Sequence, residues 1–126
     1  MKYLLSKIIV VAQESQDTTP TSDLVDGVKK YINQHFNLEL SNRQIATQFG
    51  YHPYYLSSLF RKYEGSTMHQ YIASVRMQKA RELLLSTNKT VYEIAEECGF
   101  SGAAYFSEFF MKHQRITPTE YRERCK

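Results

Sequence analysis

Cysteine, histidine and long apolar runs are all scarce in this sequence, and each shortage closes off a class of function. Two cysteines, Cys98 and Cys125, stand far apart with no CxxC spacing, which argues against both a disulfide scaffold and a zinc site. Four histidines without an HExxH pattern give metal chemistry no ligand cluster. No cofactor is therefore expected. Neither a nucleophile–base pair nor paired carboxylates stand out, so the chain is not read as an enzyme. Met1–Ala12 has an apolar centre, but Ile8-Ile9-Val10-Val11-Ala12 is far short of the roughly 20 apolar residues that span a bilayer. Gln13-Glu14-Ser15-Gln16 follows with no small-x-small cleavage site, which argues against a signal peptide and for a cytoplasmic protein. Excess charge is lacking too. A net charge of +3 and a pI near 8.8 permit a nucleic-acid partner without demanding one. Finally, no segment sustains a period of two, so no sheet is expected.

What is present is one message written twice. The first copy reads Leu40-Ser41-Asn42-Arg43-Gln44-Ile45-Ala46, then Gly50-Tyr51, Tyr55-Leu56 and Leu59-Phe60. The second reads Lys89-Thr90-Val91-Tyr92-Glu93-Ile94-Ala95, then Gly99-Phe100, Tyr105-Phe106 and Phe109-Phe110. The offset is 49 through the glycine and 50 by the second aromatic pair, so one residue is inserted after the turn. The exits correspond as well: Phe60, Gly65-Ser66-Thr67 and Tyr71 against Phe110, Arg115-Ile116-Thr117 and Tyr121.

Around this repeat the chain reads as all-α. Leu4, Leu5, Ile8, Ile9, Val11 and Ala12 are near helical spacing, giving an N-terminal amphipathic helix over residues 1–16. Residues 17–22 are polar and contain Pro20, and read as a linker. Leu24, Val25, Val28, Tyr31, Ile32 and Phe36 form an apolar stripe opened by Asp23 and Asp26, where the helix dipole favours acid. Capping boxes mark later helix starts: Ser41…Gln44, Thr67…Gln70, Thr90…Glu93, and Thr117…Glu120 with Pro118 in the first helical position. Boundaries follow at about 41–63 for the first helix-turn-helix, 68–86 for a linker helix and 90–113 for the second, within a domain over 23–124. The linker helix carries a stripe of Tyr71, Ile72, Val75, Ala80, Leu83 and Leu84.

In each copy a short helix ends at a glycine able to take positive φ, and a second helix starts two to three residues later. Ile45-Ala46 and Ile94-Ala95 supply one apolar and one small residue for close helix approach. Tyr51 and Phe100 are expected to plug the corner. Leu56, Leu59 and Phe60, and Phe106, Phe109 and Phe110, would anchor the second helix inward. This is the helix-turn-helix constellation, whose second helix fits a major groove about 12 Å wide. A linker helix over 68–86 would be about 28 Å long. Successive major-groove faces lie about 34 Å apart, so two such helices could sit on one side of a duplex. A helical protein–protein adaptor on the same duplicated scaffold is the other reading.

The stretch from about Leu24 to Arg122 resembles the DNA-binding domain of the AraC/XylS family of bacterial transcription regulators, over about four-fifths of the chain. The residues just quoted carry the resemblance, with Arg61-Lys62, Ile72, Arg76, Ala80 and Leu83-Leu84, then Met111-Lys112, Thr117-Pro118 and Tyr121-Arg122. It implies seven helices in two subdomains joined by the long one, a double-stranded promoter site as partner, and RNA polymerase as a second partner, with activation as the usual outcome. The N-terminal helix resembles the end of an upstream sensory and dimerisation domain; a complete short regulator is the alternative. The family usually has Gly where this chain has Arg115. A left-handed Arg costs roughly 1 kcal/mol relative to Gly, so a rearranged turn is expected there.

By position, Pro53, Tyr54, Ser57, Ser58 and Arg61 face outward in the first unit, and all but Pro53 are the candidate base readers. Tyr54 could equally cover the corner beside Tyr55. In the second unit the outward set is Ser101, Gly102, Ala103, Ala104, Ser107 and Glu108, of which the last four are the candidate readers. That set lacks Arg, Lys, Asn and Gln, the strong bidentate base readers. Most discrimination is therefore assigned to the first unit, with Glu108 either accepting from cytosine or merely solvated. Phosphate contacts are expected from the helix starts at Ser41 and Thr90 and from Arg43, Lys62, Lys112, His113 and Arg115. Arg76, amid apolar positions, is read as ordering loop carbonyls or a carboxylate, and Cys98 as buried packing.

Overall fold

Each capping box read from the sequence closes in the structure, a computed structural model that describes residues 20–125. Among these residues there are seven α-helices and no strand: α1 (Pro20–His35), α2 (Asn42–Phe49), α3 (Pro53–Glu64), α4 (Met68–Ser86), α5 (Val91–Glu97), α6 (Ala103–Gln114) and α7 (Pro118–Cys125). Ser41 Oγ accepts from the Gln44 amide at 3.1 Å while Gln44 Oε1 accepts from the Ser41 amide at 2.8 Å. The same reciprocal pair starts α4 at Thr67 and Gln70, α5 at Thr90 and Glu93, and α7 at Thr117 and Glu120. Four helix starts are thus fixed by local chemistry before any packing is considered.

The first helix departs from the expected boundary. It begins at Pro20, so residues 20–22 belong to α1 and not to the linker. Proline at the first position has no amide to leave unpaired, and its φ already suits a helix. The helix expected over residues 1–16, and residues 17–19, lie outside the described residues.

Two separate apolar cores form. Val25, Val28 and Ile32 of α1 join Ile45, Ala46, Leu56, Phe60, Met68 and Ile72 in the first. Met77, Ala80, Leu83 and Leu84 join Ile94, Ala95, Cys98, Phe100, Phe106 and Phe110 in the second. The linker helix α4 therefore contributes to both. Its stripe is not the single one read from the sequence: Met68 and Ile72 face one core and Met77, Ala80 and Leu84 the other. At 3.6 residues per turn, the five-residue step from Ile72 to Met77 turns the face by about 140°. Tyr71 and Val75, assigned to that stripe, are only partly buried. The aromatic seams of the two units correspond closely. Phe60 meets Tyr71 edge-on at 5.7 Å, and Phe110 meets Tyr121 edge-on at 5.4 Å.

Glycine turns lie where the repeat placed them, with φ of 77° at Gly50 and 88° at Gly99. Arg115 overturns the expectation of a rearranged turn. It holds φ 69° and its amide donates to the Met111 carbonyl at 2.8 Å, as the Gly65 amide donates to Arg61 at 2.9 Å. The strain of roughly 1 kcal/mol is accepted because the turn delivers Pro118 into burial and Tyr121 onto Phe110. Cys98 is fully buried, and desolvation pushes its thiol up to about 11, as fits a packing residue.

Candidate nucleic-acid interface

The second helix of each unit is built to show one face. In α3, His52 caps the start, its Nδ1 accepting from the Tyr54 amide at 3.1 Å, and Pro53 occupies the first turn. Leu56 and Phe60 are buried and Leu59 partly so, which turns Tyr54, Ser58, Arg61 and Lys62 out to solvent and leaves Ser57 half-buried. In α6 the anchors are Phe106 and Phe110. Ala104, Glu108 and Lys112 are exposed, and Ala103 and Ser107 are half-buried. From Pro53 to Gln70 and from Ala103 to Glu120 the buried, half-buried and exposed positions follow one another in the same order. Of the outward sets read from the sequence, Tyr54, Ser58, Arg61, Ser101, Ala104 and Glu108 are exposed, while Pro53, Ser57, Gly102, Ala103 and Ser107 are half-buried; Tyr54 is the most open at 77% exposure. It does not cover the corner.

Chemistry differs between the two faces. Residues 41–65 carry three cations, Arg43, Arg61 and Lys62, against one carboxylate, Glu64. Glu64 is itself paired with Lys29 at 2.9 Å. Residues 90–115 carry two cations, Lys112 and Arg115, against Glu93, Glu96, Glu97 and Glu108. Among the described residues, Arg43, Arg61, Lys112 and Arg115 have no carboxylate within ion-pair distance. The His113 ring stacks on Phe109 at 4.0 Å, with Nδ1 2.9 Å from the Phe109 carbonyl oxygen, so only its other ring nitrogen is left for a ligand. Lys62 Nζ lies 5.6 Å from the Tyr63 ring centre.

The helix starts at Ser41 and Thr90 are unequal as anion sites. Both hydroxyl oxygens are occupied as caps, leaving the first two helical amides open in each. The Ser41 box is completed by a neutral Gln44. The Thr90 box is completed by Glu93, whose carboxyl is held below its usual pKa chiefly by the Thr90 backbone amide. A fixed negative charge therefore stands at the second helix start and not at the first.

Several residues were not legible as part of this surface. Asn42 Nδ2 donates to Ser57 Oγ at 3.3 Å, tying the start of α2 to the outward face of α3. Tyr51 does not plug its corner: it is 44% exposed and stacks on Tyr55 with ring centres 5.6 Å apart. Its counterpart Phe100 is buried against Phe106, because the second unit has aromatic neighbours on that side where the first has Leu56. Tyr55 and Tyr105 each sit one residue before an anchor, about 100° around the helix from it, which is the signal that marks them as surface. Arg76 is half-buried and donates to the carbonyls of Phe36 and Leu38, the loop-ordering role read from the sequence.

Two turn-linked helix pairs, each with one aromatic-anchored helix bared along a polar face, define a tandem helix-turn-helix domain. Residues 45–124 match a helix-turn-helix domain family. The chain is 33% identical over 105 residues to the regulatory protein PocR of Salmonella typhimurium, covering 83% of this chain and 35% of PocR. The C-terminal domain of AraT, a response regulator of Geobacillus stearothermophilus, superposes with a TM-score of 0.79 at 34% identity, over 83% of this chain and 88% of that one. A transcriptional regulator from Chromobacterium violaceum with an AraC-type DNA-binding domain gives 0.75 at 30% identity, over 82% and 92%. The chain belongs to the AraC/XylS family of DNA-binding transcription regulators. It spans about a third of PocR's length.

Proposed function

We propose that the chain places α3 and α6 in successive major grooves of an asymmetric site of about 20 bp and activates transcription there by recruiting or repositioning RNA polymerase. The observation that carries the groove placement is the shared exposure pattern of the two helices, which presents corresponding faces from a common scaffold. On this reading Tyr54, Ser57, Ser58 and Arg61 do most of the base reading, with Asn42 orienting the Ser57 hydroxyl. Ala103, Ala104, Ser107 and Glu108 supply thymine-methyl, shape and weak polar contacts. Arg43, Lys62, Lys112, His113 and Arg115 hold phosphates, and Ser41 is the stronger of the two helix-start clamps. Such a protein acts in the cytoplasm.

A salt titration with duplex selected from a random library tests this. Affinity falls by on the order of a thousandfold between about 50 and 200 mM salt for a protein that makes six or more phosphate contacts. An adaptor would show neither the slope nor a sequence preference. For the division of labour, Ser57→Ala with Ser58→Ala shifts base preference more than Ala103→Gly with Ala104→Gly. The reverse order would remove the assignment.

A further inference from the structure

Where the two units meet, three elements touch at one point, beside an open cleft lined by Leu38, Arg76, Glu93, Glu97 and Gly99. From α4, Arg76 donates through Nε to the Phe36 carbonyl at 2.7 Å and through Nη2 to the Leu38 carbonyl at 2.8 Å. Those carbonyls belong to the loop between α1 and α2, which leads into the first unit. The same loop lies against the turn of the second. A Cβ added at Gly99 would stand 2.7 Å from the Phe36 oxygen, 3.0 Å from the Asn37 Cα and 3.1 Å from Arg76 Nε. Gly99 is thus held to glycine by this approach as well as by its φ of 88°. Gly50, the corresponding turn of the first unit, has nothing within 4 Å of such an atom. The junction is therefore particular to the boundary between units and is not a property of the turn itself. Among the described residues, no helix of the first unit besides α4 packs extensively on α5, α6 or α7.

We propose that this junction is a rigid joint fixing the separation and rotation of α3 relative to α6, with Arg76 as its positioning residue, and that it thereby sets the half-site spacing the protein accepts. A planar guanidinium donating to two loop carbonyls, those of Phe36 and Leu38, constrains direction as well as distance, which a lysine ammonium does not. The lever is long. A rotation of about 10° would swing the far end of a helix of about 28 Å by about 5 Å, more than the rise of about 3.4 Å between stacked base pairs. The inference rests on the reading that both helices engage one duplex, but the joint itself is measurable without DNA.

Residual dipolar couplings of the weakly aligned chain give the first test. In the unsubstituted protein both units share one alignment tensor. In Arg76→Ala they separate into two, and Arg76→Lys falls between. A single shared tensor in Arg76→Ala overturns the proposal. The second test uses the duplex selected by the unsubstituted chain from a random library, and the same duplex with one base pair inserted between half-sites. The insertion weakens the unsubstituted protein by about tenfold or more, and Arg76→Ala by no more than about threefold. A merely destabilised variant would lose affinity for both duplexes by the same factor, and an unchanged ratio overturns the proposal. If no duplex is selected at all, the groove reading fails and the tensors alone decide the joint.

Discussion

Arg115 occupies the position that Gly65 fills in the first unit, with the same hydrogen bond and a φ of 69°. A side chain at left-handed φ costs about 1 kcal/mol, partly offset by the smaller entropy that Arg loses on folding. Arg115→Gly should therefore raise stability by less than about 1 kcal/mol, and Gly65→Ala should lower it by a similar amount. Urea midpoints at unchanged m-value check both. A fall in stability for Arg115→Gly would mean that its side chain holds something the backbone account omits. Individual residues were legible to the extent that periodicity speaks for them. Leu56, Phe60, Phe106 and Phe110 were, because their spacing alone places them inward. Tyr51 was not, because its burial depends on which neighbours fill the corner. Asn42 was not, because its link to Ser57 crosses from one helix to another.

At the scale of the element, α2 and α5 are equivalent in the repeat and opposite in charge. The start of α5 carries the ionised Glu93 and, further on, Glu96 and Glu97, with Glu97 held by Lys89 at 2.9 Å. On the proposed reading, Glu93→Gln gives α5 the neutral capping box that α2 already has and removes one charge that opposes phosphate. Affinity for the selected duplex should rise severalfold at low salt and the gain should shrink as salt is added, by fluorescence anisotropy. No gain would indicate that the start of α5 does not approach the backbone. Helix starts were the most legible elements, because a capping box is written within four residues. The apolar face of α4 was the least legible, because its first turns and its later turns obey different cores and no single stripe describes both.

Across the whole molecule, the repeat made the fold readable: two units, an intervening long helix, and the glycine turns were all visible in the chain. The hold of Arg76 on loop carbonyls was legible, but the approach of that loop to Gly99 was not, since Phe36 and Gly99 stand 63 positions apart and nothing in the local pattern announces their contact. The sharing of α4 has a consequence for how the domain comes apart. Neither core is complete without that helix, so melting one unit strips Met68 and Ile72, or Met77, Ala80 and Leu84, of their partners and frays the scaffold under the other. The two cores should therefore unfold in one transition, with calorimetric and van't Hoff enthalpies in agreement. Phe110→Ala, a cavity substitution worth about 3–5 kcal/mol, should increase amide exchange in α2 and α3 as well as in α5 and α6. Two resolved heat-absorption peaks would show instead that α4 stays folded while one unit opens. Duplication with a shared helix should thus give two helix-turn-helix units a single thermodynamic fate.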